Sequence, residues 1–517
     1  MSLSDDKVAP SASAGAGRGR LSGDKARPSM HRKHSSSFSV SQTARTLRQV
    51  RTTHIHILRR VAVALSVALA LWMTYKAGLR LRLRSAQLAA RRRQQLIGYT
   101  DARIEDIPHD LRPESRTLSL DELLSHSLLS DHPSPSCRLN EFQLDRYAPL
   151  EPSYGTGAAS INASAPHYRP RHHLNYMVAI NLYDSDYVLP SLIRVFYRVF
   201  VALGPHRFHV SIYENGSRDS TPAQLWLLAK ILDIIGTGYT IVSDPKKAGW
   251  KENQRIEGLS EVRNTALAPL FNAPPGTFDR VLFINDVHLC EGDLYELMLQ
   301  HEVQAADMSC GMDYKELRIP EFEQSGYPLL FYDVWVARDM LGLPFYNIKR
   351  PSGEWVLPSP VMPNSPYRQQ YEDRKPFQVF SCFNGVTVID AWLFLPPFSL
   401  RFHSDGNSDV NSECYILCRD IWKALAPWGL DGQPKKGARG ARIQVVPRAA
   451  VGYQTWEYEK ARQDRNTTAF ELEGEALEQA HSEELIEWQR WPPRLIQNYP
   501  YVALAGKFCA IGTQHTF

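Results

Sequence analysis

Residues 176–213 read YMVAINLYDSDYVLPSLIRVFYRVFVALGPHRFHVSIY, with two apolar runs on either side of an amphipathic stretch. The runs at 176–182 and 208–213 predict buried β-strands. Residues 188–202 predict a helix, with Pro190 in the first turn, where proline is tolerated. A strand, a helix and a second strand in this order are typical of a parallel sheet covered by helices.

The same alternation continues along the chain. Asp219 and the residues after it predict a helix start, followed by the apolar-periodic run QLWLLAKILDII. Residues 239–243 predict a third strand, residues 254–271 a helix and residues 279–284 a fourth strand. The series predicts an α/β fold, a sandwich with a mostly parallel central sheet.

Four segments are expected from composition. Residues 1–56 are rich in Ser, Ala, Gly, Lys and Arg and predict a disordered basic cytoplasmic tail. Residues 57–79 contain the longest apolar run and predict a single transmembrane anchor. Residues 80–172 predict a helical stem and a Pro/Ser/Gly linker, and residues 173–517 the lumenal domain. Basic residues flank the anchor on both sides, so charge alone leaves its orientation open.

Charge is distributed unevenly along the chain. Residues 1–100 contain 19 Lys/Arg and 3 Asp/Glu, while the whole chain has a net charge of +4, so residues 101–517 carry a net charge of −12. A nucleic-acid-binding domain needs a basic face of its own. We therefore expect no nucleic-acid partner.

Seven cysteines are present, all after residue 100. In a lumenal domain some of them are expected to form disulfides, and the odd number leaves at least one outside an intramolecular pair. Buried free thiols are the alternative. The sequons at Asn162, Asn215 and Asn466 are compatible with a lumenal location.

The stretch FINDVHLC, residues 283–290, carries the strongest candidate site. A continuous apolar strand ends in Asn285, Asp286 and His288, and ligands bind beyond the carboxyl ends of strands in open α/β sheets. Asp286 and His288 could point to the same side and hold Mn²⁺ or Mg²⁺ against a diphosphate. The ordinary alternative is a polar turn that ends a strand.

Further candidates for nucleotide binding lie at the ends of the first and second strands. Asn181 closes the first strand, and the second ends in Glu214 and Asn215, followed by Arg218. Glu214 could accept hydrogen bonds from a ribose or a base, and Arg218 could approach a phosphate. The neighbouring Asp219 is better explained as a helix cap.

Two more groups come from helix 254–271 and from the C-terminal half. Arg263 could fork onto diphosphate oxygens, with Asn264 beside it. His403 is a candidate third metal ligand, although a lone histidine is more often not a ligand.

Several blocks in order resemble a known family, the fungal capsule-associated α-1,3-mannosyltransferases. The blocks are AINLYDSDYVLPSL, SIYENGSRDST, EVRNTAL, VLFINDVHLC, CGMDY, FYDVWVARDM, CFNGV and FHSD…SECYILCRD. The resemblance covers roughly residues 175–455. It implies a GT-A type fold, GDP-mannose as donor, a mannose-containing glycan acceptor and retention of configuration. The DxD-like metal position of the family falls on Asp286 and His288, where this chain reads Asn-Asp-Val-His.

For such a transferase, Asp313 and Asp333 are candidates for groups near the reacting carbon or the acceptor hydroxyl. A structural role for both carboxylates is the alternative. The leaving group would be stabilised by the metal and by positioning.

The predicted function is thus that of a metal-dependent glycosyltransferase, anchored in the Golgi or ER membrane as a single-pass type II protein. One alternative is a non-catalytic assembly factor for capsule or wall polysaccharide, and another is a metal-dependent hydrolase or phosphotransferase. A dinucleotide-binding oxidoreductase is disfavoured because G-x-G-x-x-G does not follow the first strand.

Overall fold

The structure, a computed structural model, describes residues 95–97, 105, 107–112, 117–137, 139, 141–150, 174–245, 254–316, 318, 323–324, 327–345, 362, 365–405, 411–426, 439–465 and 485–493. These residues belong to the compact unit Ser85–Phe517. The predicted tail and anchor, residues 1–79, lie outside them. Among the described residues, no helix combines the length and the apolar character needed to cross a membrane.

Ten strands form a single sheet in the described part of the chain. They are β1 (Gln95–Ile97), β2 (Tyr176–Leu182), β3 (Phe208–Asn215), β4 (Gly238–Asp244), β5 (Arg280–Ile284), β6 (Met308–Glu316), β7 (Leu329–Phe331), β8 (Phe377–Gln378), β9 (Val386–Asp390) and β10 (Ile443–Gly452). The order across the sheet is β1-β4-β3-β2-β5-β9-β6-β10-β8, and β7 pairs with β6.

The sheet is mixed, with five parallel and four antiparallel strand pairings among the described residues. The half from β1 to β5 is parallel throughout, as predicted. Strand β9 lies antiparallel between β5 and β6, because the chain enters it from the edge where the parallel strands end. Strands β6 and β10 are parallel again, while β7 and β8 add antiparallel pairings. The antiparallel additions lie in the C-terminal half, after the last of the four predicted strands, residues 279–284.

Helices cover both faces of the sheet. They are α1 (Leu120–Leu124), α2 (Ser127–Ser130), α3 (Glu141–Tyr147), α4 (Leu189–Leu203), α5 (Thr221–Ile235), α6 (Arg255–Ala266), α7 (Ala268–Asn272), α8 (Glu291–Val303), α9 (Arg368–Glu372), α10 (Glu413–Leu425) and α11 (Thr455–Arg465). Buried residues of α4, α5 and α8 share one core, and those of α6, α7 and α10 share the other.

The period-2 geometry of the strands divides their side chains between these two cores. In β2, Met177 and Ala179 lie in the core under α6 and α10, whereas Val178 and Ile180 lie in the core under α4 and α5. All four are fully buried. Successive side chains of a strand point to opposite faces, so a strand buried on both sides must be apolar throughout. This is why YMVAINL shows no alternation of polar and apolar residues.

Predicted helix 254–271 is divided in the structure into α6 and α7. The division falls at Leu267, two residues before Pro269. Proline has no backbone N–H to donate and restricts the residue before it, so a helix ends there more readily than it continues.

Part of the predicted stem packs against the domain. Residues 95–97, expected in a helical stem, form β1 and pair in parallel with β4. Farther along, Leu123, Leu129 and Leu150 are buried in the core that contains α4 and α5. The side chains of Arg146 and Glu296 form a buried ion pair at 2.7 Å, which joins α3 to α8. The stretch LSLDELLSHSLLS at 118–130 predicts a short amphipathic helix, and in the structure it forms the two helices α1 and α2.

Two disulfides cross-link the described residues, Cys137 to Cys290 and Cys310 to Cys382. Cys414 and Cys418 are buried free thiols, and Cys509 lies outside the described residues. The expectation that some of the seven cysteines pair is therefore confirmed in the structure.

Candidate active site

The predicted site residues gather where the parallel strands end. The chain passes from β2 outward to β3 and β4, and then returns to the opposite side of β2 with β5. The strand order thus reverses between β2 and β5. In open α/β sheets, ligands bind at this point, beyond the carboxyl ends of the strands.

Asp286 lies directly after β5, next to this point. The backbone N–H of Asn285 donates to the Gly385 carbonyl at 2.8 Å, which holds the end of β5 against the start of β9. The carboxyl group of Asp286 accepts a hydrogen bond from the Tyr187 hydroxyl at 3.3 Å. Burial raises the pKa of this carboxyl group above its ordinary value. A nearby cation would lower that pKa and keep the group ionised.

His288 lies two residues farther on and is fully buried. Its backbone pairs with Gly452, and its ring centroid is 6.0 Å from that of Tyr187. Among the residues described, Nδ1 of the ring has no hydrogen-bond partner, and burial lowers the pKa of the imidazole to about 4. His288 is therefore a neutral imidazole with an unsatisfied nitrogen, which is the form that binds a metal.

Asp286 and His288 fit a partial metal site. One carboxylate and one neutral imidazole suit Mn²⁺, whose remaining positions diphosphate oxygens and water can fill. Among the described residues, three potential metal ligands lie close together at Cys137, Cys290 and Glu291. The two cysteines of that cluster are joined in a disulfide, so their sulfur atoms are not available as thiolate ligands. The fit therefore depends on the unsatisfied nitrogen of His288 and the partly buried carboxyl group of Asp286.

His403, predicted as the third ligand, has other partners. Its Nε2 lies 2.6 Å from a carboxylate oxygen of Asp420, and its Nδ1 lies 3.1 Å from the carbonyl oxygen of Ser404. The side chain is 46% exposed. The structure does not place it in one ligand set with Asp286 and His288, and its metal role stays a prediction.

Arg263 is fixed beside Asn285 by an ion pair and three aromatic rings. Its Nε donates to Glu413 at 2.9 Å and its Nη1 to the side-chain oxygen of Asn285 at 3.2 Å. The guanidinium carbon lies 4.6 to 5.6 Å from the ring centroids of Phe383, Phe283 and Phe402. Arg263 was predicted to bind a diphosphate. Its contacts in the structure orient Asn285, the residue that precedes Asp286, and its role in diphosphate binding stays a prediction.

Other predicted nucleotide-binding residues hold the backbone at the same edge. The side-chain nitrogen of Asn181 donates to the Val262 carbonyl, and that of Asn264 donates to the Phe402 carbonyl, both at 2.7 Å. Glu214 is buried and accepts hydrogen bonds from the Ser217 backbone and the Ser243 hydroxyl.

Asn215 and Arg218 close the same loop. Asn215 is buried, whereas Arg218 is exposed and its backbone N–H donates to Asp184 at 2.8 Å. The roles of these residues in nucleotide binding stay predictions.

Asp313 and Asp333 meet in the structure although they are 20 residues apart. The backbone N–H of Asp333 donates to the Asp313 carboxyl group at 3.2 Å, and the Tyr453 hydroxyl donates to the same group at 3.0 Å. Asn384 donates its N–H to Asp333 at 3.0 Å. The pKa of Asp313 is raised by burial and then by the charge of Asp333, and burial also raises the pKa of Asp333. The pair thus retains a proton more readily than isolated carboxyl groups do.

Four residues around this site were missed by the sequence reasoning: Tyr187, Lys315, Glu413 and Tyr453. Lys315 and Tyr453 lie where apolar strands β6 and β10 end, so the rule that identified Asp286 would also have found them. Glu413 contacts a residue 150 positions away, and no local pattern signals such a contact.

Comparisons with solved structures give distant likenesses. A mannosyltransferase from Pyrobaculum calidifontis, in complex with GDP-Man and Mn²⁺, has a TM-score of 0.31 and 12% identity, over 65% of this chain and 68% of its own. TarS from S. aureus has a TM-score of 0.29 and 12% identity, over 60% and 68%. Because these TM-scores are low, the family assignment rests on sequence.

Sequence comparisons confirm the resemblance drawn from the ordered blocks. The family model described as cryptococcal mannosyltransferase 1 matches residues 175–420. The chain is 31% identical over 346 residues to alpha-1,3-mannosyltransferase CMT1 of Cryptococcus neoformans var. neoformans serotype D, which covers 64% of this chain and 69% of the relative. The matched residues contain β2 to β5, Asp286, His288, Asp313 and Asp333. The chain therefore belongs to the cryptococcal mannosyltransferase 1 family of glycosyltransferases.

Proposed function

We propose that this chain is a metal-dependent GT-A type glycosyltransferase that transfers α-mannose from GDP-mannose to a mannose-containing glycan. The proposed linkage is α-1,3, formed with retention of configuration. The observation that carries the proposal is the pair Asp286 and His288, a partly buried carboxyl group and a buried, neutral imidazole where the strand order reverses. The 31% identity to an alpha-1,3-mannosyltransferase supports the choice of sugar and linkage.

In this proposal each part of the site has a separate task. Mn²⁺ or Mg²⁺, held by Asp286 and His288, would supply positive charge for the departing diphosphate. Arg263 and Asn285 keep Asp286 in place through the contact at 3.2 Å between them. Asp313 and Asp333 lie beside Tyr453, where a carboxyl group can accept a hydrogen bond from a sugar hydroxyl.

We also propose that the domain is lumenal, on a type II anchor in the Golgi or ER membrane. The two disulfides support this location, since disulfides persist in oxidising compartments. Sequons at Asn162 and Asn466 are consistent with it, and both lie outside the described residues.

The test is transfer by the purified full-length protein. It is incubated with GDP-mannose, Mn²⁺ and a short α-mannoside, and the wild type is compared with Asp286→Asn. We expect transfer that depends on added metal. The variant should lose about 100- to 1000-fold in kcat/KM, the usual cost of removing one contact to developing charge. Asp233→Asn is the matched control, since Asp233 is an exposed carboxylate on α5.

Two results would change the proposal. Transfer that proceeds from another nucleotide sugar would correct the donor and leave the enzyme class unchanged. If every donor failed with folded wild-type protein, and Asp286→Asn still restored a strain lacking the gene, a non-catalytic role in polysaccharide assembly would replace it.

A further inference from the structure

Lys315 is the second-to-last residue of β6, at the edge of the site. It lies in β6 two residues after Asp313, and its side chain is half-buried. The ammonium nitrogen is 4.9 Å from the ring centroid of Tyr332 and 5.1 Å from that of Tyr453. The two rings meet edge to face, with their centroids 4.9 Å apart. The lysine side chain is thus held over an aromatic pair instead of extending into solvent.

Among the residues that the structure describes, this ammonium group forms no ion pair and no hydrogen bond. Its positive charge interacts electrostatically with the carboxyl groups of Asp286 and Glu457. Glu457 is buried and accepts a hydrogen bond from the Glu316 backbone at 2.8 Å, and Asp286 is bonded to Tyr187. The half-buried side chain remains accessible to a ligand, and an ammonium group makes its strongest hydrogen bonds with anionic oxygens such as those of a phosphate. A fixed, unpaired ammonium group in a site therefore indicates an anion as its ligand.

We propose that Lys315 binds the diphosphate of the nucleotide-sugar donor and stabilises its charge as it leaves. This inference rests on the proposed function. During transfer, the bond between sugar C1 and the diphosphate oxygen breaks, and its electron pair stays on that oxygen. The acceptor hydroxyl oxygen forms the new bond to C1 and gives up its proton to the released diphosphate. Lys315 adds a positive charge where negative charge accumulates, and no additional reactant is required.

Charge balance in the site favours a diphosphate over a carboxylate on the acceptor. A divalent ion held by Asp286 would leave one positive charge after the carboxylate is counted, and the ammonium group of Lys315 at the same edge of the sheet adds a second. A diphosphate carries enough negative charge to compensate both. A single carboxylate on the acceptor would compensate only one of the two positive charges. If Lys315 bound that carboxylate, its charge would not stabilise the departing diphosphate.

The test compares binding of GDP and GMP to the full-length protein in the presence of Mn²⁺. Lys315→Met removes the charge and keeps an unbranched apolar side chain over the tyrosine rings. We expect the Kd for GDP to rise about 10- to 100-fold, the effect of losing one charged hydrogen bond, while the Kd for GMP changes less than about twofold. Lys315→Arg should restore part of the affinity for GDP.

Lys230→Met is the matched control, because the Lys230 ammonium also lies over an aromatic ring, 5.2 Å from the Trp226 centroid, but on α5.

Equal losses of affinity for GDP and GMP in Lys315→Met would overturn the inference, as would unchanged binding of both. A higher KM for the acceptor with unchanged GDP binding would also overturn it and would assign Lys315 to the acceptor. Should wild-type protein bind neither GDP nor UDP, the proposed function would fail together with the inference. If the wild type transfers mannose and Lys315→Met transfers it equally well and binds GDP equally well, the inference would be refuted and the proposed function would stand.

Discussion

At the scale of single residues, the surroundings of a side chain decide whether its charge is available to a ligand. Arg263 and Lys315 are both cations beside Asp286, and both lie against aromatic rings. Arg263 forms an ion pair with Glu413, whereas Lys315 forms none among the described residues. For this reason we infer that Arg263 positions Asn285 and that Lys315 binds an anion, while diphosphate binding by Arg263 stays a prediction.

His209 provides a prediction about acid stability at this scale. Its Nε2 lies 3.0 Å from the Thr240 hydroxyl oxygen, and burial lowers the pKa of the ring to about 4. An unfolded histidine binds a proton below about pH 6.5. Between that pH and about 4 the unfolded chain binds the extra proton, so the free energy of unfolding should fall as pH falls. From pH 7 to pH 5 this residue should account for about 1–2 kcal/mol.

The measurement is the unfolding midpoint at pH 7 and at pH 5. His209→Gln can still contact Thr240 and should lose less stability over this interval than the wild type. His109→Gln changes an exposed ring and is the control. Identical pH dependence for His209→Gln and wild type would contradict the explanation.

At the scale of elements, loops and helix ends determine where the site residues lie. Asn384 and Gly385 both have positive φ, at 54° and 78°, and this turn leads the chain into β9 between β5 and β6. A Cβ on Gly385 would lie 2.7 Å from a Val451 side-chain carbon and 3.3 Å from one of Val287. Glycine is required because the backbone conformation and the close packing both exclude a side chain.

The start of α10 provides a prediction at this scale. The Ser412 hydroxyl accepts a hydrogen bond from the Tyr415 N–H at 3.2 Å, and the next residue, Glu413, forms the ion pair with Arg263. Ser412→Ala should lower the free energy of unfolding by about 1 kcal/mol through loss of the helix cap. Denaturant titration measures the change. Ser412→Thr retains the hydroxyl acceptor and should lose less, so an equal loss in both variants would show that the cap is not the cause.

At the scale of the whole molecule, two disulfides connect distant parts of the chain next to the site. Cys290 follows His288 by two residues and is joined to Cys137, 153 positions away in sequence. Cys310 precedes Asp313 by three residues and is joined to Cys382, two residues before Asn384. Both cross-links therefore restrain segments that carry site residues.

Removing either cross-link should destabilise the protein by about 2–5 kcal/mol. The pair Cys137→Ser and Cys290→Ser should cost more than Cys310→Ser with Cys382→Ser, because it opens the longer loop. Thermal unfolding with and without a reducing agent measures both effects, and peptide mapping without reduction identifies the pairs. The free thiol Cys418 provides the control, as Cys418→Ala should not alter the response to the reducing agent. Free thiols at all four positions in the purified protein would contradict the assignment.

The sequence by itself determined the elements whose signal is local. Strands β2 to β5 and helices α4 and α5 follow from apolar runs and helical periodicity, and Asp286 with His288 follows from the end of an apolar strand. Family membership followed from the order of the blocks. Only the tertiary structure decided the contacts between distant residues: the insertion of β9, the cysteine pairing, the approach of Asp313 to Asp333, and the engagement of Arg263 by Glu413. The physical reason is that periodicity reports burial within one element, whereas pairing depends on which elements the folded sheet brings together.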